Sequence, residues 1–356
     1  VIALLAVLTL AAACGVGTPE PAERAAPAER ATPAQRASPA EPGGDAPSSR
    51  PEDHTAAPVE PEAFVAASFD IAGLAEASGV AASARNPGWV YVLDDGPGTR
   101  GVTAVDTAGE ARVDVVIDGL DGRDTEGLAV APCDVGRRSC LYVGDIGNNN
   151  DRWPTVDVWR VAEPVLRPRR APLIVTPTVR SYGYERAPVN AEALLIADGR
   201  PFVVTKERGR TDTGRTPRPH LLAADRWDVG VLRDLGPIPL PQPSFGLAAA
   251  TVGNVVTGGD VRADGLVVLR TYDHVVAYTP PTRDAPLETL PTWSARELDG
   301  IPALPQPEGL AADVCGLWLV SEGVDSLWLV PWAATGTPAQ TDDIEEQRCP
   351  SGNEGS

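Results

Sequence analysis

Several features that a function usually announces itself by are scarce in this chain. Lysine occurs once in 356 residues, at Lys206, and histidine three times, at His54, His220 and His274. Bases number 30 against 49 acids, a formal net charge of −19, which argues against nucleic acid as a partner because phosphate contacts need clustered cations. The histidines form no ligand cluster, no Gly-x-Ser-x-Gly elbow occurs, and no serine–histidine pair follows from spacing. No helix-like pattern follows Gly96 and Gly98, so they form no phosphate loop. The cysteine spacing matches no zinc pattern. Sustained 3.6-residue apolar periodicity is missing. In its place are short runs rich in Val, Leu, Tyr and Trp, broken by Gly, Pro, Asn and Asp, the mark of an all-β chain.

The ends differ from the middle. Val1 to Ala13 is apolar or small and closes on Ala11-Ala12-Ala13-Cys14; it is too short to span a bilayer and reads as a signal peptide with a lipobox-like Cys14. Leu10 stands one place earlier than the usual lipobox Leu, and a basic start is missing. Residues 15–61 are an Ala/Pro/Glu-rich spacer, expected to be disordered, with almost no large apolar residue to offset the cost of ordering. Extended at ~3.1 Å per residue, it would reach up to ~140 Å. The folded domain is expected over 62–332 with a tail over 333–356. Disulfides Cys133–Cys140 and Cys315–Cys349 would staple a loop and tie the tail back, in keeping with an oxidising compartment. The expectation is an extracytoplasmic monomer held to the outer face of the cell membrane by its lipid alone, with plain secretion as the alternative.

Within the domain one phrase recurs: Glu126-Gly127-Leu128-Ala129-Val130, Glu192-Ala193-Leu194-Leu195-Ile196 and Glu308-Gly309-Leu310-Ala311-Ala312. A second apolar run follows each copy and ends in a charge: at Asp145, at Lys206 and at Glu322. Ser78 precedes Glu126 by 48 residues, and Glu126 precedes Glu192 by 66. The 116 residues from Glu192 to Glu308 fit two units if one near Gly258 has lost its acid. This is the form of a β-propeller with five four-stranded blades, or six if Phe245 to Ala250 hides another. A fourth, outer strand is expected in most units, over Val113 to Ile117, Val175 to Tyr182, Val229 to Leu235 and Trp293 to Leu298, and the run Phe64 to Phe69 would supply the one that the last blade lacks and close the ring. Trp89, Trp159, Trp318 and Trp328 fall inside strands and are expected to pack between blades.

In a blade the start of the first strand and the end of the second share one face. That logic gathers Asp94, Glu126, Asp145, Glu192, Lys206, Arg270, Glu308 and Glu322 around one channel mouth as candidate residues for binding a small ligand or a protein partner. Glu192, Lys206 and Arg270 are the catalytic candidates if the site is an enzyme's. Crowded carboxylates cannot all ionise without a counter-charge. Three remedies exist: pairing with Lys206 or Arg270, protonation, or a Ca²⁺ held by Glu126, Asp145, Glu192 and Glu308 with carbonyls from Gly144 to Asp151.

The stretches Asn86 to Asp95, Asp124 to Ala129, Leu141 to Asn149 and Leu269 to Tyr272 resemble a family of secreted bacterial β-propeller proteins near the phytase-esterase-like and lactonase-like propellers. The resemblance spans about Phe64 to Trp332 and implies the fold. It also maps the family's acidic positions onto Glu126, Glu192, Glu308, Asp94 and Asp145, and implies Ca²⁺-dependent hydrolysis as one function beside ligand binding.

Overall fold

The computed structural model describes residues 67–71, 73–74, 76–107, 111–133, 138–149, 152–207, 217–242, 254–338 and 349, all within the compact unit Glu60–Ser356. The signal peptide, Cys14, the spacer, nearly all of the tail and the run Phe245 to Ala250 lie outside them.

Strand β1 (Ala67–Asp70) comes first in the chain and last in the architecture. The first blade is β2 (Ala77–Ala82), β3 (Trp89–Asp94), β4 (Gly101–Asp106) and β5 (Arg112–Ile117). The second runs through β6 (Gly127–Pro132), β7 (Ser139–Asp145) and β8 (Thr155–Ala162). Its chain then lends β9 (Leu173–Val175), in parallel, to the outer edge of β5 before returning as β10 (Thr178–Tyr184). The third is β11 (Ala191–Ala197), β12 (Arg200–Thr205), β13 (His220–Ala224) and β14 (Val231–Pro237); the fourth is β15 (Val256–Val261), β16 (Val267–Thr271), β17 (Val275–Tyr278) and β18 (Ala295–Glu297). The fifth, β19 (Pro307–Ala312), β20 (Gly316–Ser321) and β21 (Ser326–Pro331), is completed by β1 antiparallel to β21, with Phe69 opposite Leu327.

The inner strands β2, β6, β11, β15 and β19 neighbour one another in a closed circuit, β19 returning to β2. Among the described residues the chain is therefore a β-propeller of five blades. Its core is divided accordingly. Each of five buried apolar clusters mixes side chains of two adjacent blades, such as Leu93 and Val115 with Leu128 and Val143, or Val80 and Val92 with Trp318 and Leu329. Burial falls off radially: β20 is buried at every position, whereas β5 alternates exposed Arg112 and Asp114 with buried Val113 and Val115. Inner strands lie between two neighbours and are mostly apolar or small, β15 with its Val-Thr-Gly-Gly-Asp-Val being the least so, and outer strands face water on one side.

Two strand expectations need correction. The single outer strand expected from Val175 to Tyr182 is broken at Pro177, which has no N–H to give a ladder, and Val175 goes to the neighbouring blade. The strand expected from Trp293 to Leu298 is only Ala295–Glu297, preceded by a 3-10 turn at Leu287–Thr292. Both disulfides, Cys133–Cys140 and Cys315–Cys349, are present. The four strand tryptophans pack against the interblade clusters, Trp318 fully buried and Trp89, Trp159 and Trp328 partly so. Among the described residues no helix is long and apolar enough to cross a membrane.

Candidate functional site

The mouth is built by a device repeated from blade to blade. Where the inner strand begins, the pairing register slips, between Ala77 and Gly79, Ala191 and Ala193, Val256 and Gly258, and Pro307 and Leu310. A slip of this kind is a β-bulge, and the bulged residue is re-aimed out of the pleat. The residues so placed are Ser78, Glu192, Thr257 and Glu308, with Glu126 at the matching point before β6, its N–H donating to Gly144 O at 3.0 Å. The acid missing from the fourth blade is thus Thr257. Its hydroxyl donates to Glu308 O at 3.2 Å, as that of Ser78 donates to Thr125 O at 3.1 Å, so these two blades spend the position on tying themselves to the next.

A second residue per blade faces the same opening. The N–H groups of Asp95, Gly147, Lys206 and Glu322 donate to Glu76 O (3.0 Å), Asp124 O (2.9 Å), Asn190 O (2.8 Å) and Gln306 O (3.0 Å), in each case the carbonyl two residues before the bulge position. In the fourth blade Tyr272 holds this place, because Thr271 pairs with Val256 as Thr205 pairs with Ala191. The second blade has glycine here for a steric reason: a Cβ on Gly147 would lie 2.4 Å from Cγ of Asp124, whose carboxylate fills the space.

Lys206 Nζ and Glu192 Oε1 form an ion pair whose side chains are 5% and 1% exposed. Tyr272 offers its ring to the same ammonium at 5.9 Å and donates its hydroxyl to Glu308 Oε1 at 3.3 Å. Burial disfavours the Lys206 charge, but Glu192, Tyr272, Glu126 and Glu308 together outweigh it and raise its pKa, so it is a fixed cation. Burial pushes the Glu126 carboxyl well above the usual range; Glu192, Asp124 and Asp95 push the same way and Lys206 opposes them. Burial likewise pushes Glu308 up to about 8, with Glu192 and Glu322 adding and Lys206 and the Tyr272 hydroxyl opposing. Asp95 is pushed up to about 6 by burial, Glu322, Asp124 and Glu76. Glu322, raised by its own partial burial and by Glu76, stands at the rim.

Of the eight expected residues, the structure brings together Glu126, Glu192, Lys206, Glu308 and Glu322. Asp94 and Asp145 are elsewhere, and Arg270 lies behind Glu308 and not at the opening. Asp94 is one residue short of the mouth position, so its side chain takes the other face from Asp95; the charge of Arg112 acts on it, as does that of Glu76, which also acts on Asp95. Asp145 accepts from the backbone N–H of Arg123 (3.1 Å) and Asp124 (2.8 Å) and from Arg123 Nε (2.7 Å), while the Arg123 guanidinium also reaches Asp157 at 3.1 Å. It positions the loop that presents Asp124. Arg270 lies two residues before Tyr272 and is 2% exposed; its guanidinium donates to Gly309 O and Val320 O, both at 3.4 Å, which ties the fourth blade to the fifth. Asp95, Asp124 and Tyr272 escaped the sequence reading. Aligning Asp94-Asp95, Thr205-Lys206, Thr271-Tyr272 and Ser321-Glu322 would have found two of them.

The calcium set does not fit. Asp145 is committed to Arg123, the ammonium of Lys206 stands among the remaining three carboxyls, and among the described residues no three acid, histidine or cysteine side chains converge as metal ligands. The side chains of Asn148 and Asn149 are also engaged, Asn148 Oδ1 accepting from the N–H of Arg152 (2.8 Å) and Trp153 (3.1 Å) and Asn149 Oδ1 from Asn190 Nδ2 (3.1 Å).

Beside the mouth lies a cleft of about 590 Å³ between the first and second blades, lined by Pro97, Asp121, Asp124, Asn148, Arg152 and Trp153 among others. Its volume suits a small molecule. Asp124 belongs to both places, lining the cleft and acting on Glu126. The Trp153 ring, 38% exposed, carries the Arg123 guanidinium 5.2 Å from its centroid.

No family model matches the chain, and no curated protein does. Among solved structures it is similar to an exo-β-1,3-galactanase from Phanerochaete chrysosporium, crystallised with β-1,3-galactotriose: 11% identity, TM-score 0.41, covering 78% of this chain and 65% of that one. A GH43_1 enzyme from Xanthomonas citri is 9% identical with TM-score 0.41, over 78% of this chain and 96% of that one. YCF48 bound to D1 peptide is 9% identical with TM-score 0.33, over 77% and 86%. With TM-scores below 0.5, none of these bears on the chemistry of the mouth.

Proposed function

We propose that the propeller binds a small polar ligand at the mouth of its central channel, with Glu126, Glu192, Lys206 and Glu308 as the contact groups and Glu322 at the rim. The observation that carries this reading is the buried Glu192–Lys206 pair with two further carboxyls crowded beside it. Burying these ionisable groups costs stability unless every charge is matched, and two cations, Lys206 and the Arg270 behind Glu308, do not match three carboxyls. The two disulfides suit an oxidising compartment. The protein would work there as a monomer tethered through a lipid on Cys14, and a Cys14→Ser variant should leave the membrane fraction. A kinship with the phytase-esterase-like and lactonase-like propellers belongs to the same proposal.

A hydrolase acting on phosphoesters, esters or lactones is the second reading. Two observations favour it: Glu192 is paired with a fixed cation, and Glu308 is pushed up to about 8, so neighbouring carboxyls differ in protonation as an acid and a base would. The residues do not fit a calcium route. A thermal-shift screen across sugars, phosphoesters, carboxylates and amines, with turnover assays on the esters and lactones, tests both. A ligand at the mouth raises the wild-type Tm, keeps its effect on the surface variant Asp118→Asn and loses it on Glu308→Gln. Equal shifts in both variants would remove the mouth as the site.

A further inference from the structure

We infer that the mouth receives an organic cation: an ammonium or guanidinium group set between Glu126 and Glu308, with the rest of the molecule in the adjoining cleft against Trp153. This rests on the mouth being the ligand site, and it names the class of ligand. Glu126 is the decisive residue. It is 6% exposed, and among the described residues its side chain has no hydrogen-bond or ion-pair partner, yet it faces Glu192, Lys206, Asp124 and Asp95. A buried carboxyl without a partner costs on the order of 1–3 kcal/mol or more, so its retention points to a group that arrives from outside.

The charges around it select the sign of that group. Glu126 is faced by Glu192, Asp124 and Asp95 against Lys206. Glu308 is faced by Glu192 and Glu322 against Lys206, with the Tyr272 hydroxyl on it and Arg270 behind. Lys206 is already committed to Glu192 and Arg270 to Gly309 O and Val320 O, so an incoming anion would meet Glu126, Glu308, Asp95 and Glu322 with no uncommitted cation at the mouth among the described residues. A neutral polyol would leave the crowding of the acids as it was. An organic cation compensates them, and two acceptors suffice for it where a bare metal ion needs a full coordination shell. The cleft supplies room for the body of such a ligand, about 590 Å³ lined by Asp121 and Asp124 as well as by Arg123 and Arg152, with the Trp153 indole beneath the Arg123 guanidinium. The net charge of −19 would steer cations toward the protein.

The raised carboxyls give the binding a signature. A cation at the mouth favours their ionised forms, so protons leave as the ligand enters. Titration calorimetry of the full chain at pH 7 with agmatine and spermidine, in Tris and in MOPS, should show binding with a heat that differs between buffers by the ionisation heat of the released protons. Glu126→Gln, nearly isosteric, should weaken binding at least tenfold, and Glu308→Gln should reduce proton release if one variant folds poorly. Binding of either amine that is unchanged in both variants is attraction to the acidic surface and overturns the inference. Galactose, citrate or CaCl₂ binding at the mouth while the amines do not would also overturn it, yet leave the mouth as a ligand site. No binding by any of these probes removes the cation.

Discussion

Glu192 and Lys206 belong to one hairpin: the first is the bulged residue that opens β11, the second follows the end of β12, and their side chains meet as a buried ion pair. The pair is therefore formed within one blade, while its electrostatic effects reach Glu126 in the second blade and Glu308 in the fifth. Removing either partner leaves the other charge buried and alone. Glu192→Gln and Lys206→Met should each lose about 3–5 kcal/mol in urea denaturation, and the double variant less than their sum. Additive losses would show that the two side chains do not depend on one another.

Glu308 predicts a pH dependence of definite sign. Its ordinary value is 4.5 and its folded value is about 8. Between these the unfolded chain has released a proton that the folded chain keeps, so stability falls as pH rises, by up to about 1.4 kcal/mol per unit from this group. The term is absent below pH 4.5 and complete above about pH 8. Asp95, pushed up to about 6, acts in the same direction at the acid end of the window. The wild-type Tm should decline from pH 5 to pH 8, and Glu308→Gln should make that decline shallower. A parallel pair of curves would mean that Glu308 titrates normally.

How far the site could be read from sequence depends on one structural detail. Strand positions were legible because most inner strands are short runs of apolar or small residues and three of the five blades restart with the same phrase, and closure was legible in the spare run before the first blade. The mouth was legible only where the charged residue happened to sit at the bulge or just past the end of the second strand, as Glu126, Glu192, Glu308, Lys206 and Glu322 do. Strand side chains alternate with a period of two, so a count ending one residue early chose Asp94 over Asp95, whereas the count that ended at Arg270 stopped two residues short of Tyr272, inside the strand. Bulges leave no mark in composition, and Asp124 entered the mouth only because the second blade has a glycine at its own position.

The axis of the propeller constrains another glycine. A Cβ on Gly309 would lie 2.8 Å from Ser78 O and 2.9 Å from Gly79 Cα, both backbone atoms of the neighbouring blade. Backbone cannot swing aside as a side-chain tip can, so Gly309→Ala should lose about 1–3 kcal/mol. In the outer strand β10, Gly183→Ala would meet nothing closer than Gly230 O at 3.8 Å and should change stability by no more than ~0.5 kcal/mol. Equal denaturation midpoints for the two variants would show that the inner strands have room to separate.

Closure depends on β1. It pairs along β21 from Ala67 opposite Leu329 to Asp70 opposite Ser326, and its Phe69 ring lies 5.7 Å from that of Trp318. A chain begun at Ile71 would leave the outer edge of the fifth blade unpaired, and an unpaired edge invites association with other chains. The shortened chain should unfold at lower temperature than the full one and sediment as larger species. A synthetic peptide of residues 64–70, added in excess, should raise its Tm and return it to a monomer, because the ladder that β1 makes is intact on the β21 side. The same peptide with Phe69→Ala should do so less well. A shortened chain as stable and as monomeric as the full one would show that the ring holds together through its interblade clusters alone.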